Sequence, residues 1–164
     1  MQNIVITGST RGIGLAMAIA FLKKGCQVTL SGRGEELAPS VKEQLKEFEK
    51  SCHNVCCDVT KKDSVENLFE ESKKKWGSVE IWINNAGLSP PWGPSAHVPS
   101  ELFRAALEVN ILGTYNGSVT AVRRFLAQGG GGRLVNLTGR GDKGRKVGVL
   151  VGERRSPRDD AGIP

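Results

Sequence analysis

Apolar residues follow two alternating rhythms along the chain. Short runs at residues 3–7, 27–31, 53–57, 79–83 and 133–137 have the length and composition of strands. Between them, apolar positions recur every three or four residues, as on one face of a helix. Residues 12–24 form the first such helix, which stops before Gly25. Leu37, Val41, Leu45 and Phe48 stripe the second, and Val65, Leu68, Phe69, Ser72 and Trp76 the third. A Pro/Gly/Ser loop at 88–99 precedes a long helical stretch over 100–128, broken near Gly113 and ended by glycines 129–132. Strands separated by helices predict an α/β fold, a doubly wound parallel sheet of about five strands with helices on both faces. No internal repeat is visible.

After Thr138 the rhythm is lost. Residues 147–151 read as a short strand bounded by glycines, and the stretch around Arg154, Arg155, Ser156 and Pro157 reads as loop. The expected division is an α/β domain over 1–138 and an irregular basic tail over 139–164.

With 164 residues, one domain with a real core is the natural count. The longest apolar run, 15–22, has eight residues, far short of the ~20 needed to span a membrane. No signal peptide precedes the first strand, so a cytoplasmic location is expected. The thiols of Cys26, Cys52, Cys56 and Cys57 should then be reduced. Cys52, His53, Cys56 and Cys57 invite a metal reading. Strand alternation sends neighbours to opposite faces, and no second ligand pair follows at zinc spacing, so core packing is favoured and no metal is expected.

The net charge of +6 is uneven: residues 133–164 hold 8 Lys+Arg against 4 Asp+Glu. A basic tail can be a nucleic-acid arm, but without interleaved aromatics a solvated end is the favoured reading.

The chemistry begins where Ile4-Val5-Ile6 meets Thr7-Gly8-Ser9-Thr10-Arg11-Gly12-Ile13-Gly14. A strand, a glycine-rich turn and a helix place free N–H groups and a helix dipole where a pyrophosphate can sit. The spacing is not Gly-x-Gly-x-x-Gly, and no Gly-Lys-Ser/Thr makes it a P-loop. Asn84-Asn85-Ala86-Gly87 ends the fourth strand, at the switch point of such a sheet. Small residues there admit a cofactor, although the run alone reads equally as an ordinary turn. The second strand ends in Ser31-Gly32-Arg33, with no acid to bond a ribose 2′-hydroxyl. Arg11 and Arg33 offer two guanidinium groups to a 2′-phosphate. NADP(H) is therefore preferred over NAD(H), the alternative being that both arginines are merely solvated.

Four motifs in order carry a resemblance: Thr-Gly-x-x-x-Gly-Ile-Gly at 7–14, Cys57-Asp58-Val59, Asn-Asn-Ala-Gly at 84–87, and Val109-Asn110-x-x-Gly113. Over about residues 1–140 the chain resembles the short-chain dehydrogenase/reductase family. The run around Trp82 to Gly87, with Asn136-Leu137-Thr138-Gly139, looks somewhat like its chlorophyll b reductase branch, too slightly to name a substrate. The resemblance implies a Rossmann-like sheet of order 3-2-1-4-5 and NADP(H)-dependent hydride transfer between the cofactor and a small alcohol/carbonyl substrate. It implies that Gly8, Gly12 and Gly14, with Ser9, Thr10, Arg11 and Ile13 between them, form the cofactor turn. Asp58 would bond the adenine with Val59 beside it, and Asn85, Ala86 and Gly87 would line the nicotinamide-side ribose. Asn110 would be the asparagine of the catalytic tetrad, supporting a proton-relay water; its alternative is a structural contact to strand four.

The family's chemistry also needs a Tyr-x-x-x-Lys pair, and none exists here: the sole tyrosine is Tyr115, with Val119 four positions on. Thr138 offers a hydroxyl one position before the expected catalytic serine, and Gly139 offers none. These absences suggest a truncated member, with a tail read out of frame and an exposed apolar edge on strand five. Activity is expected to be impaired. The competing reading is a non-catalytic NADP(H)-binding remnant acting through a partner, and a weaker one is nucleic-acid binding through the tail. Substrate and oligomeric state, including a homo-oligomer, stay open.

Overall fold

Every residue of β1 (Asn3–Ile6) is buried, because it is a central parallel strand covered on both faces. In the computed structural model, which describes residues 1–89, 98–138 and the backbone of 148–151, β1 pairs with β2 (Gln27–Gly32) on one side and β4 (Ile81–Asn84) on the other. β3 (Cys52–Cys56) adds to β2, and β5 (Gly132–Asn136) to β4. The five parallel strands run in the order β3-β2-β1-β4-β5, as expected.

The pleat divides the core into two layers. Val5 and Trp82 face α3 (Lys62–Trp76) and α5 (Thr114–Gln128), packing with Leu68, Phe69 and Phe125. Ile4, Ile6, Ile81 and Ile83 face the other way, onto Leu15, Ala18 and Leu22 of α1 (Gly12–Lys23) and Val41 and Leu45 of α2 (Pro39–Leu45). Phe69 stacks on Trp82 with centroids 6.0 Å apart and meets Phe125 edge-on at 6.1 Å. Ser72, a polar residue on the apolar stripe of α3, is matched by polar residues below it. Its hydroxyl pairs with that of Thr29 at 2.8 Å and accepts from Asn3 Nδ2 at 3.2 Å.

Two expectations are corrected. The helical stretch is not broken at Gly113: α4 (Ser100–Leu107) widens into a π-helical turn over Glu108–Gly113 and continues as α5. Gly113 is required by proximity, since a Cβ there would stand 2.6 Å from Val59 Cγ2. The edge of β5 is not bare either. β6 (Gly148–Val151) pairs with it antiparallel, Arg133 opposite Leu150 and Leu134 opposite Val149. The rest of the basic tail, including Gly139 and the Arg154–Ser156 stretch, lies outside the described residues, as does most of the Pro/Gly/Ser loop. Among the described residues no group of three His, Cys, Asp or Glu could hold a metal ion, and no helix is long and apolar enough to cross a membrane.

Candidate functional site

β1 sends its chain one way, through α1 to β2, while β4 lies on its other side. The carboxyl ends of β1 and β4 therefore diverge, and the crevice beyond them is where ligands of doubly wound sheets bind. A cavity of about 310 Å³ opens there, lined by Gly8, Thr10, Arg11, Gly32, Arg33, Cys57, Asp58, Val59, Ala86, Gly87, Leu88 and Val109.

The floor of the cavity is the turn after β1. Gly8 adopts φ +63°, and a Cβ there would stand 2.7 Å from Ala86 Cα, so only glycine lets the two loops meet. Gly14 lets α1 close on the turn: its Cβ would lie 2.6 Å from the Gly8 carbonyl. The N-terminus of α1 has no side-chain cap and no acidic residue in its first turn. Its first N–H groups and the positive end of its dipole are thus left for an anion.

Three residues under the floor fix its shape. Thr7 Oγ1 accepts from the N–H groups of Asn85 and Ala86, both at 3.0 Å. Asn85 Nδ2 returns bonds to the carbonyls of Thr7 at 2.8 Å and Gly8 at 3.0 Å. Ser9 is fully buried, its hydroxyl donating to Ile6 O at 2.6 Å and accepting from Ser31 N–H at 3.0 Å.

The far wall is electrostatic. Arg11 and Arg33 are exposed at its rim, and among the described residues neither joins a salt bridge. Partial burial pushes the Asp58 carboxyl up. Bonds to Oδ1 from the Thr60 hydroxyl (2.8 Å) and N–H (3.1 Å), with the charges of Lys61 and Arg33, outweigh it and hold the group below the usual carboxylate range. Asp58 is therefore an anion at neutral pH, with one oxygen committed internally. The Cys57 thiol beside it is pushed up to about 11, chiefly by burial, and stays neutral.

Of the residues expected at the site, Gly8, Thr10, Arg11, Arg33, Asp58, Val59, Ala86 and Gly87 line this cavity together. Ser9, Gly14 and Asn85 support it from beneath. Gly12, at φ +57°, has open space around it, and Ile13 is 73% exposed. Asn110 sits in the π turn and clamps the next loop: Leu88 N–H donates to its Oδ1 and its Nδ2 donates to Leu88 O, both at 2.8 Å. Thr138 is exposed beyond the end of β5 and does not line the cavity.

Sequence reasoning missed Thr7, Gly32, Cys57, Leu88 and Val109. Thr7 and Cys57 lay inside quoted motifs, where a residue at a strand's last turn is a signal for loop support. Leu88 carried no signal, because its role belongs to its backbone.

The sequence model described as short chain dehydrogenase matches residues 2–148. The chain is 37% identical over 145 residues to the chloroplastic chlorophyll(ide) b reductase NOL of Arabidopsis thaliana, covering 87% of this chain and 42% of that protein. Among solved structures it is similar to ElxO with NADP bound (TM-score 0.74, 29% identity, 82% of this chain and 54% of that one). It is also similar to NAD+-bound xylitol dehydrogenase (TM-score 0.74, 25% identity, 82% and 52%). The chain thus spans about half the length of the relatives it matches. Matched through almost all of its strands and over every residue that lines the cavity, the chain belongs to the short-chain dehydrogenase/reductase family of oxidoreductases.

Proposed function

We propose that this chain binds NADP(H) in the crevice beyond β1 and β4, and that its chemistry is hydride transfer between that cofactor and an alcohol/carbonyl pair. One observation carries the reading. Both arginines, the glycine turn, Asp58 and the Ala86-Gly87 wall line one cavity, and no acidic residue from the end of β2 joins them. A carboxylate there would repel a 2′-phosphate, whereas two guanidinium groups suit it.

The position of each residue in or behind the cavity supports the following roles. The first turn of α1, reached over Gly8 and Gly14, takes the pyrophosphate; Arg11 and Arg33 take the 2′-phosphate. Asp58 and Val59 border the adenine, and Asn85, Ala86 and Gly87 back the nicotinamide-side ribose. Bound nicotinamide supplies the hydride chemistry; the protein binds and orients it. The Asn110 amide bonds both backbone groups of Leu88, so its part is to fix that end of the cavity.

The proton is the weak side. Tyr115 is exposed on α5 with Val119 four residues on, and no Tyr-x-x-x-Lys occurs in the 164 residues. That observation favours a second reading, in which this chain binds the cofactor without turnover and acts through a partner. Residues 1–138 would be the binding unit in either case. We place the protein in the cytoplasm, where Cys26, Cys52, Cys56 and Cys57 stay free thiols.

Calorimetric titration of the purified chain with NADPH and with NADH tests the binding claim: NADPH is expected to bind more tightly, and equal or absent binding overturns it. Carbonyl-dependent oxidation of NADPH then separates the two readings, since the remnant binds without consuming it.

A further inference from the structure

The loop that carries Arg33 is held from outside the cavity. β3 is the edge strand, and Asn54 and Cys56 stand two residues apart on one of its faces. Asn54 Nδ2 donates to the Glu35 carbonyl at 3.1 Å, and Cys56 Sγ donates to the Arg33 carbonyl at 3.4 Å. The register delivers them there: Gly32, the last residue of β2, pairs with Cys56, and the Cys57 N–H bonds the Gly32 carbonyl at 2.7 Å. Where the backbone ladder stops, β3 continues it with side chains. From the other side, Gly32 abuts Thr10 of the glycine turn, where a Cβ would stand 2.7 Å from Thr10 Oγ1. Arg33 is thus fixed between the turn and the edge strand. Neither Asn54 nor Cys56 lines the cavity itself.

We infer that Asn54 and Cys56 are positioning residues for cofactor discrimination: they hold the backbone of residues 33–35 so that the Arg33 guanidinium stays at the cavity rim. The inference rests on the NADP(H) reading above. Arginine carries a large rotamer entropy, and a phosphate contact made from a wandering backbone loses more of it than one made from a fixed Cα. NADH has no 2′-phosphate, so its binding does not feel where Arg33 stands. Asn54 also leaves its Oδ1 buried without a partner. An unpaired buried acceptor is unfavourable for stability, so an apolar side chain of the same size keeps the fold while losing the tie.

The test is calorimetry of the 164-residue chain with NADPH and NADH, alongside thermal unfolding, for wild type, Arg33→Ala, Asn54→Leu, Cys56→Ala and Cys56→Ser. Losing one such bond should raise the NADPH Kd roughly three- to tenfold in Asn54→Leu and at the lower end in Cys56→Ala. The NADH Kd and the Tm should hold, and Cys56→Ser, which keeps a donor, should restore the ratio. If Arg33→Ala abolishes the NADPH preference but Asn54→Leu and Cys56→Ala keep it, the inference is overturned and the NADP(H) reading stands. Equal weakening of both cofactors overturns it too, since that is a structural effect. A wild-type chain with no preference overturns the NADP(H) reading and this inference together. Cys56 is exposed, so its Ala/Ser pair decides the matter if Asn54→Leu fails to fold.

Discussion

Replacing Thr7 by valine removes one oxygen and keeps the branched shape. In the native protein that oxygen uses its full capacity: it accepts from two N–H groups, Asn85 and Ala86, at 3.0 Å each and donates to Ile83 O at 3.4 Å. Thr7 itself is 1% exposed, so water cannot replace the lost acceptor without opening the loop. Two stranded donors cost about 1–3 kcal/mol each when fully buried; Asn85 and Ala86 are half-buried, which puts the sum at about 2–3 kcal/mol. For a chain of this length that is a fall in Tm of about 5–10 °C, or about 1 M in the urea midpoint. Thr7→Ser keeps the oxygen and loses one methyl, a change of about 1 kcal/mol. Urea unfolding of both variants, followed by tryptophan fluorescence, gives the comparison. If Thr7→Val unfolds within about 0.5 kcal/mol of wild type, well below the expected desolvation cost, the oxygen is not what joins the two loops.

Four further outcomes are expected. Gly14→Ala places a Cβ 2.6 Å from Gly8 O and 2.8 Å from Ser9 Cα, backbone atoms that cannot give, and should cost about 2–3 kcal/mol. Gly12→Ala meets open space and pays only for its φ of +57°, about 1 kcal/mol; equal losses in thermal unfolding would contradict the packing account. Asn110→Ala frees both backbone groups of Leu88, so the Leu88 amide should exchange hydrogen faster by about tenfold, the equivalent of one net hydrogen bond; unchanged protection would show that the clamp is idle. His53 is held below its ordinary pKa, by burial first and the Lys75 charge second, with Glu71 opposing. Its stabilising contribution is therefore complete above the unfolded value near 6.5 and is lost as the pH falls through the lower folded value. His53→Gln should flatten the stability profile below the unfolded value near pH 6.5, and a slope equal to wild type would assign it to other groups.

The strands were legible because buried parallel strands read as continuous apolar runs, and Ile4-Val5-Ile6 is the plainest of them. Polar residues inside the core were harder. Asn84 looked like the start of a loop, yet it is the last residue of β4 and is 4% exposed. It is retained because Trp82 Nε1 donates to its Oδ1 at 2.8 Å, while its Nδ2 reaches Ser118 Oγ at 3.0 Å and Asn136 Oδ1 at 2.8 Å. No periodicity encodes such a network; it exists only once β4, α5 and β5 have met. The π turn escaped for a related reason. The pattern signals an interruption near Gly113 but not its form, because the contact that the widened turn serves, Asn110 with Leu88, is tertiary. The antiparallel pairing of β6 was likewise out of reach, since residues 148–151 show the strand but nothing about its direction.

The same geometry bears on the proposed separation of cofactor binding from proton chemistry. The cavity wall is built from the turns after β1, β2, β3 and β4 together with Val109, and the last of these residues precedes α5. Its rigidity comes from bonds among those same turns: Thr7 to Asn85 and Ala86, Ser9 to Ser31, Asn110 to Leu88. β5 contributes no residue to the wall; its tie to the site is indirect, through Asn136 and Asn84. A change beyond β5 can therefore leave the crevice intact, whereas a change at Thr7 or Gly14 strikes it directly. On the proposed function, binding affinity should therefore respond more to changes in the turns that line the cavity than to changes in β5.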